Sequence, residues 1–493
     1  MLVHAGGSTM RIAVIGAGIS GIAAGVNLQK VGIEEFTIFE KNPDVGGTWF
    51  LNSYPGAACD VDSRLYSYSF HTRKQWGRRY AEQPEILDYL NEVVDRFGLR
   101  PKIRTSSDVR SCVYDPSSKQ WRIACEDGFE QNFDGVIACV GMLNDPLIPN
   151  IPGLDAFTGV ATHTARWPKD LDVHGLRAAV VGTGSSAAQI VPAIAPHVHS
   201  LHLFQRQPGW VLPKPDKVHA GTVKRPAGPL QKAERCWQYL RRELAHGKYE
   251  MGSRRNVRQL RHAVDFLERA VDDPALQEVL KPSYPFGCKR AVRDSNFYPA
   301  LLRDNVTTVP SALVGVDGSR VIAADGTTVE VDLLVLATGF RAQEFLNTVE
   351  VEGPDGRLLS HQWAEAGGPE AFLGVAVPGL PNFFMTYGPN SNTATTSMVF
   401  VLERQVEHIV RALAYADRNR LTGLMVRPDA HRRFNQWLQS SISDTVWTAG
   451  CNNYFSTQDG KIVTNWPHTS IAYAGLLKAA HPGLPWIYEE FRM

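Results

Sequence analysis

No stretch of this chain keeps 18 consecutive apolar residues, so nothing in it reads as a bilayer-spanning helix. Excess charge of one sign is also missing. Lys and Arg number 51 against 50 Asp and Glu, a formal net charge of +1, so no global field draws nucleic acid or a charged surface. Closely spaced cysteines are absent too. Cys59, Cys112, Cys125, Cys139, Cys236, Cys288 and Cys451 form no C-x-x-C pair, which leaves no zinc or thioredoxin-like motif. An odd count without a framework predicts reduced thiols in a cytoplasm. The opening MLVHAGGST lacks a basic region ahead of an apolar core, so no secretory signal is expected, and Met10 is an alternative start. What remains is 493 residues, 44% hydrophobic and 20% charged. That composition suits a globular chain of two or three domains.

The segment RIAVIGAGISGIAAGVNLQKVGIEEFTIFE (11–40) opens the fold. Ile12 to Ile15 form a short β-branched apolar run, the pattern of a buried parallel strand. Gly16, Gly18 and Gly21 follow as G-x-G-x-x-G. Such glycines permit a tight turn, close approach of backbone to pyrophosphate, and packing of helix on strand. A helix and the strand FTIF come next, and Glu40 closes the unit with a carboxylate that can accept ribose hydroxyls. This ordered set points to FAD.

The pattern returns in LRAAVVGTGSSAAQIVPAIAPHVHSLHLFQR (176–206), with Gly182, Gly184 and Ala187 as G-x-G-x-x-A. Gly16 to Glu40 and Gly182 to Arg206 span the same 24 positions. On that spacing an acid in one unit and a guanidinium in the other occupy one structural slot. An acid repels a 2′-phosphate and arginine grips it bidentately, so the second site suits NADPH.

Two more apolar strands end in glycine, FDGVIACVG (133–141) and VDLLVLATGF (331–340), and the Pro-rich NDPLIPNIPG marks a joint near residue 150. The expected architecture is α/β with two Rossmann-like dinucleotide-binding domains. The FAD domain is discontinuous, 10–149 and 341–493, and the NADP domain covers 150–340. The charged, helix-like stretch at about 224–284 is a helical insertion whose basic residues read as a solvated face. With FAD and NADPH together, hydride transfer to flavin is the expected chemistry. Disulfide reduction needs a cysteine pair near the flavin, and Cys59 stands alone in the first 100 residues.

One stretch between the units is FTGVATHTARWP (157–168). Its β-branched residues, Gly159 and Pro168 argue for an extended or looping segment. Phe157, Gly159, His163, Trp167 and Pro168 match F-x-G-x-x-x-H-x-x-x-W-P, and this resembles the fingerprint of the Baeyer–Villiger monooxygenases. A second long pattern of that family fits GGTWFLNSYPGAACD (46–60) through Gly46, Gly47, Trp49, Tyr54, Pro55, Gly56 and Asp60. The resemblance covers both glycine units and their order.

The resemblance implies an NADPH- and O2-dependent enzyme that acts through a C4a-peroxyflavin on a small-molecule ketone, or on a sulfide; neither a nucleic acid partner nor a metal is expected. N- or S-oxygenation, or cofactor binding without oxygenation, are the alternatives. It also implies roles for single residues. Arg290, in PSYPFGCKRAVRDSNFYPALLRDNV (282–306), supplies the fixed positive charge, ahead of its competitors Arg293 and Arg303. Asp60 orients Arg290. His163 pins the joint between domains and acts on turnover without touching substrate. Gly47, Trp49 and Asp60 belong to the flavin side, Lys289 reaches NADP, and Asn390 lies near the flavin. The chain departs from the family at Gln207, at the GPNSN stretch, and at CNNYF, where Tyr454 stands for a common Trp.

Overall fold

The computed structural model describes residues 8, 10–451 and 453–492. Most of the stretch on which the start of the chain was judged, residues 1–7 and 9, lies outside them, as does Asn452. Two five-stranded parallel sheets form the frame. In chain order the strands are β1 (Ile12–Ile15), β2 (Phe36–Phe39), β3 (Ile103–Arg104), β4 (Gly135–Ala138) and β5 (Val160–His163), then β6 (Arg177–Val181), β7 (Ser200–Phe204), β8 (Val306–Val309), β9 (Leu333–Leu336) and β10 (Phe383–Met385).

The first sheet runs β10-β4-β1-β2-β3 and the second β5-β9-β6-β7-β8. Both put the strand ahead of a glycine loop at the centre, with the strand after its helix on one side. Every residue of β1, β4 and β9 is buried, as unbroken apolar runs in a sheet covered on both faces require. The chain leaves the first sheet after β4, enters the second at β5, and returns after β9 to place β10 beside β4. The segment 157–168 is extended over β5 and closes in a short 3₁₀ turn, Thr164–Arg166.

Helices α1 (Ile19–Lys30) and α2 (Ser185–Ile194) start directly after the glycine loops. The region 224–284 carries α3 (Pro229–Glu243), α4 (Arg254–Ala270) and α5 (Pro274–Leu280). The long helix α6 (Met398–Arg418) packs on α1.

One expectation fails here. Cys288 and Cys451 are joined in a disulfide with a Cα separation of 6.3 Å, so two of the seven thiols are not free. They stand 163 residues apart, and tertiary packing, not sequence spacing, brings them together. Cys59, Cys112, Cys125, Cys139 and Cys236 are free. No described helix is long and apolar enough to cross a membrane.

Candidate active site

A continuous cavity of about 880 Å³ opens between the sheets, and both glycine loops line it. Gly16 has φ +102°, and a Cβ on it would stand 2.7 Å from the Cys139 carbonyl oxygen. Gly182 has φ +120°, and its Cβ would stand 2.5 Å from the Ala337 oxygen. Any side chain would therefore strain the backbone and meet the neighbouring strand's end. Gly21 keeps α1 on the loop, since a Cβ there would fall 1.8 Å from the Gly16 oxygen. Ala187 does the packing of α2 and is fully buried. Gly47 comes from the second family motif. Its Cβ would lie 2.9 Å from Gly18 Cα, whereas a Cβ on Gly184 would meet nothing within 4 Å. Both loops thus present bare backbone and a helix N-terminus to the cavity, the arrangement that takes a pyrophosphate.

The strand-end residues differ from the expectation. Ile15 pairs with Phe39 in the first sheet, and Val181 pairs with Phe204 in the second. The residue after Phe39 is Glu40, and the residue after Phe204 is Gln205. Gln205, not Arg206, therefore occupies the slot equivalent to Glu40. The second βαβ crossover is one residue shorter, so equal counting from the glycines overshoots. Gln205 is buried and donates through Nε2 to the Val279 oxygen at 2.8 Å. Glu40 is buried as well. Its Oε2 accepts from the Ala17 amide at 2.8 Å, and its Oε1 accepts from the Asn42 amide at 2.9 Å and from Asn42 Nδ2 at 2.6 Å.

Displacement by one residue turns Arg206 outward into the cavity wall. It makes no side-chain hydrogen bond among the described residues. Lys289 faces it, held by Gln207 Oε1 at 2.5 Å. Burial and the nearby Arg206 charge both pull the Lys289 ammonium below its ordinary value. Two cations crowded at one rim fit a phosphate monoester.

At the other end of the wall Arg290 Nη2 donates to Asp60 Oδ2 at 2.5 Å. Burial alone would raise the Asp60 carboxyl, but the charge and hydrogen bond of Arg290 outweigh it and hold Asp60 below the usual carboxylate range. The carboxylate in turn raises Arg290 well above its ordinary value. Arg290 is 48% exposed, and that exposure is to the cavity it lines. Tyr454, the residue that departs from the family's Trp, sits against the same guanidinium. Arg293 lines the cavity without an ion-pair partner among the described residues, whereas Arg303 lies outside it and bonds Asn305 Oδ1 at 3.3 Å.

The two long motifs are where the sheets' flanking elements meet. Tyr54 donates to Gln189 Oε1 of α2 at 2.8 Å, and Gln189 Nε2 donates to the Ala58 oxygen at 2.9 Å. Gly56, at φ +82°, brings its backbone so close that a Cβ would stand 2.6 Å from the Gln189 oxygen. Tyr54, Ala57 and Trp167 share one apolar cluster with α2. Trp49 donates to Tyr66 at 3.0 Å and lines the cavity. Gly159, just ahead of β5, is under a tight constraint, for its Cβ would stand 2.3 Å from the Asp332 oxygen.

His163 is buried behind the cavity wall. Its Nδ1 accepts from the Ala165 amide at 3.0 Å, so the proton is on Nε2, which donates to the Gly339 oxygen at 3.0 Å. Burial pushes its pKa down to about 4, so the ring is neutral and pins β5 to the cavity-lining turn after β9.

Two placements differ from the sequence reading. Asn390 does not line the cavity. Its Nδ2 donates to the Ile462 and Asn465 oxygens at 2.9 and 3.1 Å, so its buried amide latches two C-terminal segments while Asn392 faces the cavity. The second difference is on the insertion, whose basic residues are not all solvated. Arg242 at the end of α3 and Lys248 beyond it line the cavity, a turn of the chain that a helical charge pattern does not reveal.

The chain matches the flavin-binding monooxygenase-like family over residues 9–351. It is 40% identical over 473 residues to a Baeyer–Villiger monooxygenase of Streptomyces coelicolor, covering 94% of this chain and 90% of that one. It is 34% identical over 462 residues to one of Pseudomonas aeruginosa, with 93% and 87% covered. Among solved structures it is similar to an oxidized steroid monooxygenase bound to NADP, with a TM-score of 0.85, 29% identity, and 98% and 100% of the two chains covered. It is equally similar to the NADP+-bound cyclohexanone monooxygenase of Rhodococcus sp. Phi1, with a TM-score of 0.85, 28% identity, and 99% and 100% covered. With two parallel dinucleotide-binding sheets, two glycine cradles and both long motifs in place, the chain belongs to the flavin-binding monooxygenases and, within them, to the Baeyer–Villiger monooxygenase family.

Proposed function

We propose that this enzyme uses NADPH, dioxygen and FAD to insert one oxygen atom beside a ketone carbonyl, giving an ester or lactone. The observation that carries the reading is the Arg290–Asp60 pair on the wall shared by both glycine loops. FAD, when bound, accepts the hydride of NADPH and activates dioxygen. The protein's part is to hold and charge that site. Residues 10–149 and 341–493 form the unit for FAD, and 150–340 the unit for NADP.

Gly16, Gly18 and the α1 N-terminus would take the FAD pyrophosphate, with Gly47 and Trp49 closing over it and Glu40 on the ribose side. Gly182, Gly184 and the α2 N-terminus would take the NADP pyrophosphate, with Arg206 and Lys289 on the 2′-phosphate. Arg290, kept protonated by Asp60, places a fixed positive charge where negative charge develops on oxygen in the reaction. A preorganised charge in a closed site costs no reorganisation at that moment. His163 and the Tyr54–Gln189 contact hold the two units in register.

Cyclic ketones are the first class to test, since a similar structure is a cyclohexanone monooxygenase. The purified holoenzyme is given NADPH, air and a panel of ketones, sulfides and tertiary amines, with products identified by mass. Ester or lactone from a ketone supports the reading. Conversion of sulfides or amines alone selects heteroatom oxygenation, and stoichiometric hydrogen peroxide with every compound selects a non-oxygenating flavoprotein.

A further inference from the structure

Some cationic side chains on the cavity wall are not among those assigned above to the cofactors or to the Asp60 pair. Arg206 and Lys289 stand together at one rim, the glycine loops offer backbone to the pyrophosphates, and Arg290 is paired with Asp60. Arg242 and Arg293 remain. Both line the same cavity, and neither side chain makes a hydrogen bond or ion pair among the described residues. Asp62, the other carboxylate close to Arg242, is already engaged by Arg79 at 3.0 Å. Lys248 lines the same wall, with its Nζ over the Tyr249 ring at 4.9 Å.

Arg242 is fixed in place by its helix. Arg235, two turns earlier on α3, donates to the Arg64 and Ser67 carbonyl oxygens at 2.9 Å each. Glu243, the next residue, is buried and accepts from the Ile471 amide at 3.1 Å. The helix C-terminus favours a cation, but exposed Arg241 already supplies one there. Burial and the Arg293 charge lower the Arg242 guanidinium below its ordinary value. Asp60 and Asp62 are each paired with another arginine, so two like charges that have no ion pair of their own among the described residues are unfavourable together in a partly dry wall until an anion arrives.

Resting on the ketone reading, we infer that Arg242 and Arg293 form an anion subsite of the substrate pocket, and that the preferred substrates are ketones carrying a carboxylate away from the carbonyl. Tyr249, Phe286, Trp447 and Met398 line the same cavity and would cover the apolar part of such a molecule.

The test compares 4-oxocyclohexanecarboxylate with 4-methylcyclohexanone on the FAD-loaded enzyme. Wild type shows a kcat/KM at least tenfold higher for the carboxylate, and Arg242→Gln lowers that ratio by 10-fold or more, as loss of a charge-assisted contact does. Hexanoate inhibits oxidation of the methyl ketone competitively in wild type and at least tenfold more weakly in Arg242→Gln. Flavin absorbance and Tm show that the variant is folded. Arg293→Gln provides an independent second measurement. Equal kcat/KM for the two ketones in wild type overturns the subsite while leaving the ketone reading in place. A rise in the KM for NADPH in Arg242→Gln, with the substrate ratio unchanged, overturns it in favour of a cofactor contact. Conversion of neither ketone, with sulfides oxidised, overturns the ketone reading itself.

Discussion

Arg290 and Asp60, 230 residues apart in sequence, meet through a single 2.5 Å contact from Nη2 to Oδ2. The carboxylate is held ionised and the guanidinium is held protonated, so across the working pH range Arg290 stays a fixed cation on the cavity wall, with its direction set by Asp60. Arg290→Ala removes that charge and leaves both glycine cradles intact. FAD content stays at the wild-type level, and NADPH is still consumed. Ketone oxygenation falls roughly 10²–10³-fold, the cost of about 3–4 kcal/mol for one preorganised charge, with hydrogen peroxide appearing in its place. Arg290→Lys recovers little, because an ammonium lacks the planar guanidinium that Asp60 orients. Stopped-flow absorbance for reduction, with ester and peroxide assays, separates these steps. Ester formation by Arg290→Ala near the wild-type rate would move the role to Arg293.

The role proposed for Arg206 is to discriminate between the nicotinamide cofactors. A charge-assisted contact to the 2′-phosphate contributes roughly 1.5–3 kcal/mol. NADPH is preferred over NADH about 10- to 100-fold, and Arg206→Ala raises the KM for NADPH by that factor while NADH changes little. Gln205→Ala serves as the contrast, for this side chain is bonded to the Val279 oxygen. It lowers stability without changing the preference. Steady-state kinetics with both cofactors checks this, and equal losses for both with Arg206→Ala count against the assignment.

The role proposed for His163 is one of position. His163→Ala keeps FAD but slows turnover and raises the share of NADPH lost to hydrogen peroxide, because the turn around Gly339 loses its pin and domain positioning gates the reaction. The depressed pKa gives a stability signature with a definite sign. A group lowered from 6.5 to about 4 contributes stability that is fully present above 6.5 and lost as pH falls through about 4. The Tm difference between wild type and His163→Gln is therefore widest above pH 6.5 and narrows toward pH 4. A difference that widens with acid would show the wrong protonation state.

Cys288 precedes Lys289 and Arg290, and Cys451 stands three residues before Tyr454, so their disulfide ties both sides of the guanidinium together. Neither cysteine lines the cavity, which keeps this disulfide apart from any flavin-side dithiol chemistry. Unfolded without reductant, the chain titrates five thiols, and after reduction it titrates seven. Closing so long a loop is worth about 2–5 kcal/mol, so Cys288→Ser lowers Tm. Seven thiols before reduction would remove the cross-link.

The sequence by itself determined the two nucleotide units, because their signals are local. A turn that must run at positive φ against a neighbouring carbonyl accepts only glycine, so Gly16 and Gly182 announce themselves, and the short β-branched apolar runs just ahead of them read as buried parallel strands. It also held the family identity, since the motifs from Gly46 to Asp60 and from Phe157 to Pro168 keep their spacing. Gly56 and Gly159 show why, for each leaves no room for a Cβ against Gln189 or Asp332. Only the tertiary structure decided what lies across the cavity. A crossover shorter by one residue put Gln205 in the acid's slot and freed Arg206. The direction of α3 turned Arg242 inward, the fold of the C-terminal segment took Asn390 away from the wall, and packing joined Cys288 to Cys451. Backbone sterics act between near neighbours and can be read along the chain. Side-chain convergence depends on register, helix length and the packing of distant elements, and a shift of one residue in any of them changes which atoms meet.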